Sequence, residues 1–165
     1  MTFSIAARCA ATGMLGVAVS SSSPAVAARC AHVRAGVGAA GSQNVTDPRL
    51  GPRLLDLLAD GLAAPDAVAR VVAEGGPEIA YRQLTCVDAA GRTGAYSGAS
   101  TLGTHGTREE TDCVAAGNLL ATTGVLDAIA GSFATSAGHL AGRLCAATQS
   151  VSSRVPCVPR VEAPE

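Results

Sequence analysis

Threonine at position 2 offers two groups that chemistry can use. Met1 precedes a small residue, which permits its removal. The freed Thr2 would then carry a hydroxyl nucleophile and an α-amino base on one Cα, the pair that nucleophilic catalysis by threonine requires. The structural reading of the same residue is that Thr suits the start of a strand, since Thr2–Arg8 alternates in the manner of one. Other chemistries find less support. The six cysteines, Cys9, Cys30, Cys86, Cys113, Cys145 and Cys157, form no CxxC pair, and none of the three histidines stands at ligand spacing to a cysteine, so buried thiols are expected rather than a metal site. The glycine-rich segment 35–41 does not give GxGxxG and no phosphate-binding lysine follows it. No G-x-S-x-G nucleophile elbow occurs. No cofactor is expected.

Composition limits what can position Thr2. A chain of 165 residues fits one domain that buries about two-thirds of the surface exposed by its unfolded chain. Hydrophobic residues make up 48% but aromatics only 2%, so the core must be built from Ala, Val, Leu and Ile packed closely. The formal charge of −1 disfavours nucleic acid or an anionic membrane as partner. All 12 basic residues are arginines, so a positive charge near Thr2 must come from Arg, protonated His or the α-ammonium. No signal peptide or membrane-spanning run is evident, and the expectation is a cytoplasmic protein with thiols kept reduced.

Along the chain, residues 2–8 and 14–20 read as a hairpin joined by 10–13, followed by a loop near Pro24 and a glycine-rich strand over 35–41. Asp47-Pro48 predicts a helix start with Asp47 as N-cap. Leu54–Leu58 continue that helix to Gly61, and a second begins near Pro65 and stops at Gly75-Gly76-Pro77. Residues 81–87 and 92–98 form a second hairpin around Asp88–Gly91. A polar segment runs from Thr104 to Asp112, a strand and loop over 113–120, and helix from about 125 to 149 with a break near Gly138. Runs of strands separated by runs of helices predict an antiparallel α+β layered domain over residues 2–149, with a proline-containing tail at 150–165.

Seven segments carry a resemblance: Thr2–Arg8, Leu15–Ser21, Arg34–Ala39, Pro48–Pro52, Tyr81–Leu84, Asp88–Arg92 and Gly117–Leu120. In order and spacing they resemble the successive motifs of the DUF1028 family, over residues 2 to 147. That family is similar to the N-terminal-nucleophile hydrolases, which implies a four-layer αββα sandwich and amide hydrolysis by Thr2 on a small amide or ureide-like substrate. In the mechanism so implied, Asn118 is the side-chain donor to the oxyanion, and backbone N–H groups near Gly117 or Ser42 assist. Ser21 would hydrogen-bond the α-amine, and Arg34 would depress its pKa or hold a substrate carboxylate. Gln43 and Asn44 would meet polar atoms of the substrate, and His105 would act as a general acid.

The terminus departs from the family pattern. Pro156 and Pro159 suit a central strand poorly, so the sheet is expected to be shortened at its C-terminal part. An exposed edge would then be covered by a second copy in a homo-oligomer. The alternatives to an amidohydrolase are a noncatalytic small-molecule-binding or assembly protein that keeps Met1, and a truncated inactive family member.

Overall fold

The computed structural model describes residues 1–151 and 160–162. Two antiparallel sheets form its middle. The first has five strands in the order β7-β8-β1-β2-β9, and the second four in the order β3-β4-β5-β6. Here β1 is Thr2–Arg8, β2 Leu15–Ser21, β3 Ala31–Arg34, β4 Gly38–Asn44, β5 Arg82–Asp88, β6 Thr93–Ser97, β7 Gly106–Glu110, β8 Cys113–Asn118 and β9 Arg160–Glu162. A short helix α1 (Ala27–Cys30) follows β2. Helices α2 (Leu50–Ala59) and α3 (Ala64–Glu74) separate β4 from β5, and α4 (Gly124–Thr135) and α5 (Leu140–Gln149) follow β8.

Side-chain alternation along β1 sets the layers. Phe3, Ile5 and Ala7 join Leu126, Ile129, Phe133, Leu140 and Leu144 in the core between the first sheet and α4/α5. Ala6 on the other face meets Val17, Val33, Ala39, Val87 and Val114, the small residues that fill the space between the sheets. Leu84 and Cys86 of β5 turn outward to a third core with Leu54, Leu55, Leu58, Val68 and Val71 of α2 and α3. The order is therefore helices, sheet, sheet, helices, with each buried Leu, Val or Phe contributing roughly 1.5–3 kcal/mol. Close approach demands the missing side chain at Gly38, where a Cβ would lie 2.3 Å from Leu58 Cδ1 and 2.8 Å from the Val87 carbonyl. No helix among the described residues is long and apolar enough to cross a membrane.

Four local expectations are corrected. The glycine-rich segment 35–41 is not one strand: β3 ends at Arg34, Gly36 turns the chain back at φ +68°, and β4 starts at Gly38. The polar segment 104–112 contains strand β7, whose five residues pair with β8. As an edge strand with exposed charged side chains, it lacks the apolar alternation that marks a buried strand. Asp47 accepts the Arg49 N–H at 3.0 Å and so precedes the helix in an Asx-type turn, while the helix proper begins at Leu50. Finally, β9 pairs with β2 from Leu15 to Val17, so that stretch of β2 is not an open edge. The Glu162 carboxylate accepts the Ala35 N–H at 3.1 Å, tying β9 to the turn after β3. Pro156 and Pro159 lie outside the described residues.

Candidate functional site

Thr2 begins a central strand and therefore has neighbours on both sides. The register places Ser21 of β2 and Asn118 of β8 directly opposite it. Period-2 alternation turns all three side chains toward the second sheet. The Thr2 and Ser21 hydroxyl oxygens are 2.9 Å apart. Ser21 Oγ also accepts the Ser23 N–H at 3.1 Å and donates to the Met1 carbonyl at 3.4 Å. Either hydroxyl can donate in the Thr2–Ser21 pair.

Beneath this row lies a buried chain of polar side chains. Ser4 Oγ donates to Gln43 Oε1 at 2.7 Å, Gln43 Nε2 donates to Gln83 Oε1 at 2.7 Å, and Asn118 Nδ2 donates to the same Gln83 oxygen at 3.2 Å. Gln83 Nε2 faces Ser97 Oγ at 2.8 Å and the carbonyls of Gly106 and Gly117 at 3.1 and 3.0 Å. Carbonyl oxygens only accept, so they set which end of the Gln83 amide is the NH2 group. Its oxygen must then face the donors of Gln43 and Asn118. One N–H of Asn118 is thereby anchored, and its other N–H meets no acceptor among the described residues. Gln83 is fully buried and Asn118 is 3% exposed, so each bond works in a poorly solvated setting.

Two strained turns frame the row. Asn44 and Leu119, which follow Gln43 and Asn118, have φ of +73° and +53°, values uncommon for residues with a side chain. Asn44 donates to the Tyr81 carbonyl at 2.6 Å and accepts the Leu102 N–H at 3.3 Å, and the Leu119 N–H donates to the Leu102 carbonyl at 3.0 Å. The loop between β6 and β7 is thus stitched across the ends of β4 and β8. The exposed large apolar residues among those described, Met1, Val45, Tyr81, Leu102 and Leu119, all adjoin this end.

The predicted site residues therefore separate. Thr2, Ser21, Asn118 and Gln43 come together, and Gly117 contributes its carbonyl to Gln83. Asn44 stands next to them, but both ends of its amide hold loops. His105 donates from Nδ1 to the Gly103 carbonyl at 2.7 Å, just before β7 and two strands from Thr2. Ser42 faces α2, where its hydroxyl donates to the Asp47 carbonyl at 3.0 Å. Arg34 lies at the far end of the second sheet, opposite Gly38, and pairs with Asp56 at 2.8 Å. Neither Ser42 nor Arg34 is brought to Thr2, because strand parity and strand length direct them elsewhere. Gln83, Ser4 and Ser97 were not singled out from sequence. The signal was a glutamine at an inward position of a strand, which demands partners wherever it is buried. Among the described residues no group of His, Cys, Asp or Glu is arranged to hold a metal ion.

A family model described as a family of unknown function, DUF1028, matches residues 2–153. The chain belongs to the DUF1028 family. A crystal structure of another DUF1028 protein, SPO2555 from Silicibacter pomeroyi, is similar throughout, with a TM-score of 0.93 and 29% identity over 99% of this chain and 76% of that one. No curated protein matches the sequence.

Proposed function

We propose that this DUF1028 protein is an N-terminal-nucleophile amidohydrolase that uses Thr2 after Met1 is removed. The observation that carries the reading is the row Ser21–Thr2–Asn118, in which a hydroxyl at a strand start stands beside an anchored amide with one unused N–H. Two packed antiparallel sheets between helical layers, with the nucleophile opening a central strand, resemble the N-terminal-nucleophile hydrolases and support it further.

In the reaction, the α-amine of Thr2 takes the hydroxyl proton, directly or through a water. The oxygen attacks an amide carbonyl, and the free N–H of Asn118 stabilises the oxyanion. Collapse expels the amine, which leaves with a proton, and forms an ester on Thr2. Water then cleaves the ester to release the acid. Ser21 orients the Thr2 hydroxyl, and Gln83 holds Asn118 in place. With Met1 removed, the exposed apolar side chains of Val45, Leu102 and Leu119 suit a small neutral amide or ureide. A cytoplasmic setting belongs to this reading, and the five free thiols among the described residues suit a reducing compartment.

A second reading has its own observation. Met1 is held by the β1–β2 hairpin, its carbonyl accepting the Ser22 N–H at 3.2 Å and its ammonium donating to Ser22 Oγ at 3.3 Å. A noncatalytic binding protein would keep that residue. Intact-protein mass spectrometry on untagged protein, before and after an electrophile that acylates N-terminal threonine, separates the two. The expected result is loss of Met1 and a single adduct on Thr2, absent in Thr2→Ala. Asn118→Ala should slow acylation about 10²–10³-fold while remaining folded. Quantitative retention of Met1 would end the hydrolase reading.

A further inference from the structure

Arg8, at the end of β1 opposite Thr2, borders a cavity of about 400 Å³ between the β7–β8 hairpin and helices α4 and α5. Three arginines line it, Arg8, Arg108 and Arg143, together with Glu110, Asp112 and Asp127. The ion pairs are unevenly distributed. Arg8 meets Asp112 at 2.8 Å, and Arg108 takes both Glu110 at 2.6 Å and Asp127 at 3.5 Å. Arg143 meets no carboxylate among the described residues. Its guanidinium lies 4.1 Å from the centroid of the Phe133 ring, and one Nη2 donates to the Phe133 carbonyl at 3.2 Å. The Nε–H groups of Arg143 and Arg8 are both buried without an acceptor.

Capping the last turn of α4 through the Phe133 carbonyl is a structural role for Arg143, but it occupies one of five donors. The ring fixes the guanidinium plane in advance, so little side-chain freedom remains to be lost when an anion docks. The walls beside it are small or apolar: Ala130, Gly131, Ala134 and Phe133 from α4, and Cys113 from β8.

We propose that this cavity is a binding site for a small organic monocarboxylate, whose carboxylate pairs with Arg143 and whose apolar body lies along α4. The lining's three arginines and three carboxylates balance in formal charge, so the attraction is local to Arg143, which has no carboxylate partner among the described residues, and a second negative charge would meet Glu110, Asp112 or Asp127. The site is separate from the Thr2 row and does not depend on the hydrolase reading.

The test is a calorimetric and NMR titration of the full chain with butyrate, hexanoate and benzoate, with succinate and inorganic phosphate as more highly charged controls. Saturable one-to-one binding of a monocarboxylate is expected, at least tenfold tighter than either control, with a shift of the Arg143 Nε–H resonance. Thr2→Ala should bind equally well. Arg143→Gln should bind at least tenfold more weakly. Gly131→Leu supplies a variant that keeps the arginine: a Cβ there meets nothing within 4 Å, and leucine favours a helix more than glycine does, so it fills the cavity while folding normally. It should abolish binding. Monocarboxylate binding that survives Gly131→Leu, or binding no tighter than the controls, would overturn the proposal.

Discussion

The two ends of β1 are built from opposite materials. At Thr2, neutral amides and hydroxyls form a buried hydrogen-bonded chain, Ser4–Gln43–Gln83–Asn118. At Arg8, three guanidinium groups and three carboxylates surround a cavity, and their pairing leaves Arg143 over. A neutral network gives position without a net field, which suits the alignment of a nucleophile. The cavity's charges balance overall, but they are unevenly paired, which suits a local contact at Arg143. The contrast sets the two proposed kinds of recognition at opposite ends of one strand, with Arg8 bordering a cavity formed with the β7–β8 hairpin, α4 and α5.

Gln83→Leu should test the neutral end most severely. It leaves Gln43 Nε2 and Asn118 Nδ2 without their shared acceptor and removes the side-chain donor to Ser97 Oγ and the Gly106 and Gly117 carbonyls, at about 1–3 kcal/mol for each buried group left unpaired. A loss of roughly 3 kcal/mol or more is expected, read as a fall in the urea midpoint. A change below about 1 kcal/mol would mean that the network does not bear on stability.

Acid should open the other end first. Asp88 closes the hairpin between β5 and β6, beside the β7–β8 turn where the Asp112 N–H donates to the Gly91 carbonyl at 3.0 Å. Desolvation raises its pKa, but the Arg92 side chain and the N–H groups of Arg92, Ala64 and Ala90 outweigh that and leave it below the usual value. A carboxyl depressed in the folded state stabilises fully above its unfolded pKa of about 3.9, and the contribution fades as pH falls through the folded value. Hydrogen exchange below pH 4 should therefore rise in the 88–92 and 110–113 turns before it rises at Gln83 and Asn118. Simultaneous opening of both regions would contradict the comparison.

The smallest effect is expected from Asp112→Asn. The Arg8–Asp112 pair has both side chains about one-fifth exposed, and partly exposed pairs contribute up to about 1 kcal/mol, less in high salt. Thermal melts at low and high salt should converge. A salt-independent loss would mean instead that the buried Arg8 Nε–H had lost its geometry.

Local chemistry made much of the fold readable. Apolar alternation over 2–8 predicts β1, the Asp88–Gly91 turn predicts the β5–β6 hairpin, and 3.6-residue periodicity with Pro65 and Gly75 predicts α3. The proposal at Thr2 also starts from the sequence, because it rests on the residue type and not on distant residues. What those patterns lack is strand order and facing. A period of two says that Gln83 and Arg82 point to opposite sides, but not which side meets Asn118. Only the pairing of β1 between β2 and β8 set Ser21 and Asn118 beside Thr2, and only the packing of sheet on sheet brought Gln83 beneath them. The same packing kept Arg34 with Asp56 and left Arg143 without a carboxylate among the described residues. Sequence therefore determined the elements, through interactions within a few residues, and singled out Thr2 as the candidate nucleophile. Tertiary structure decided the site, because its groups are tens of residues apart and meet only through the register and layering of the two sheets.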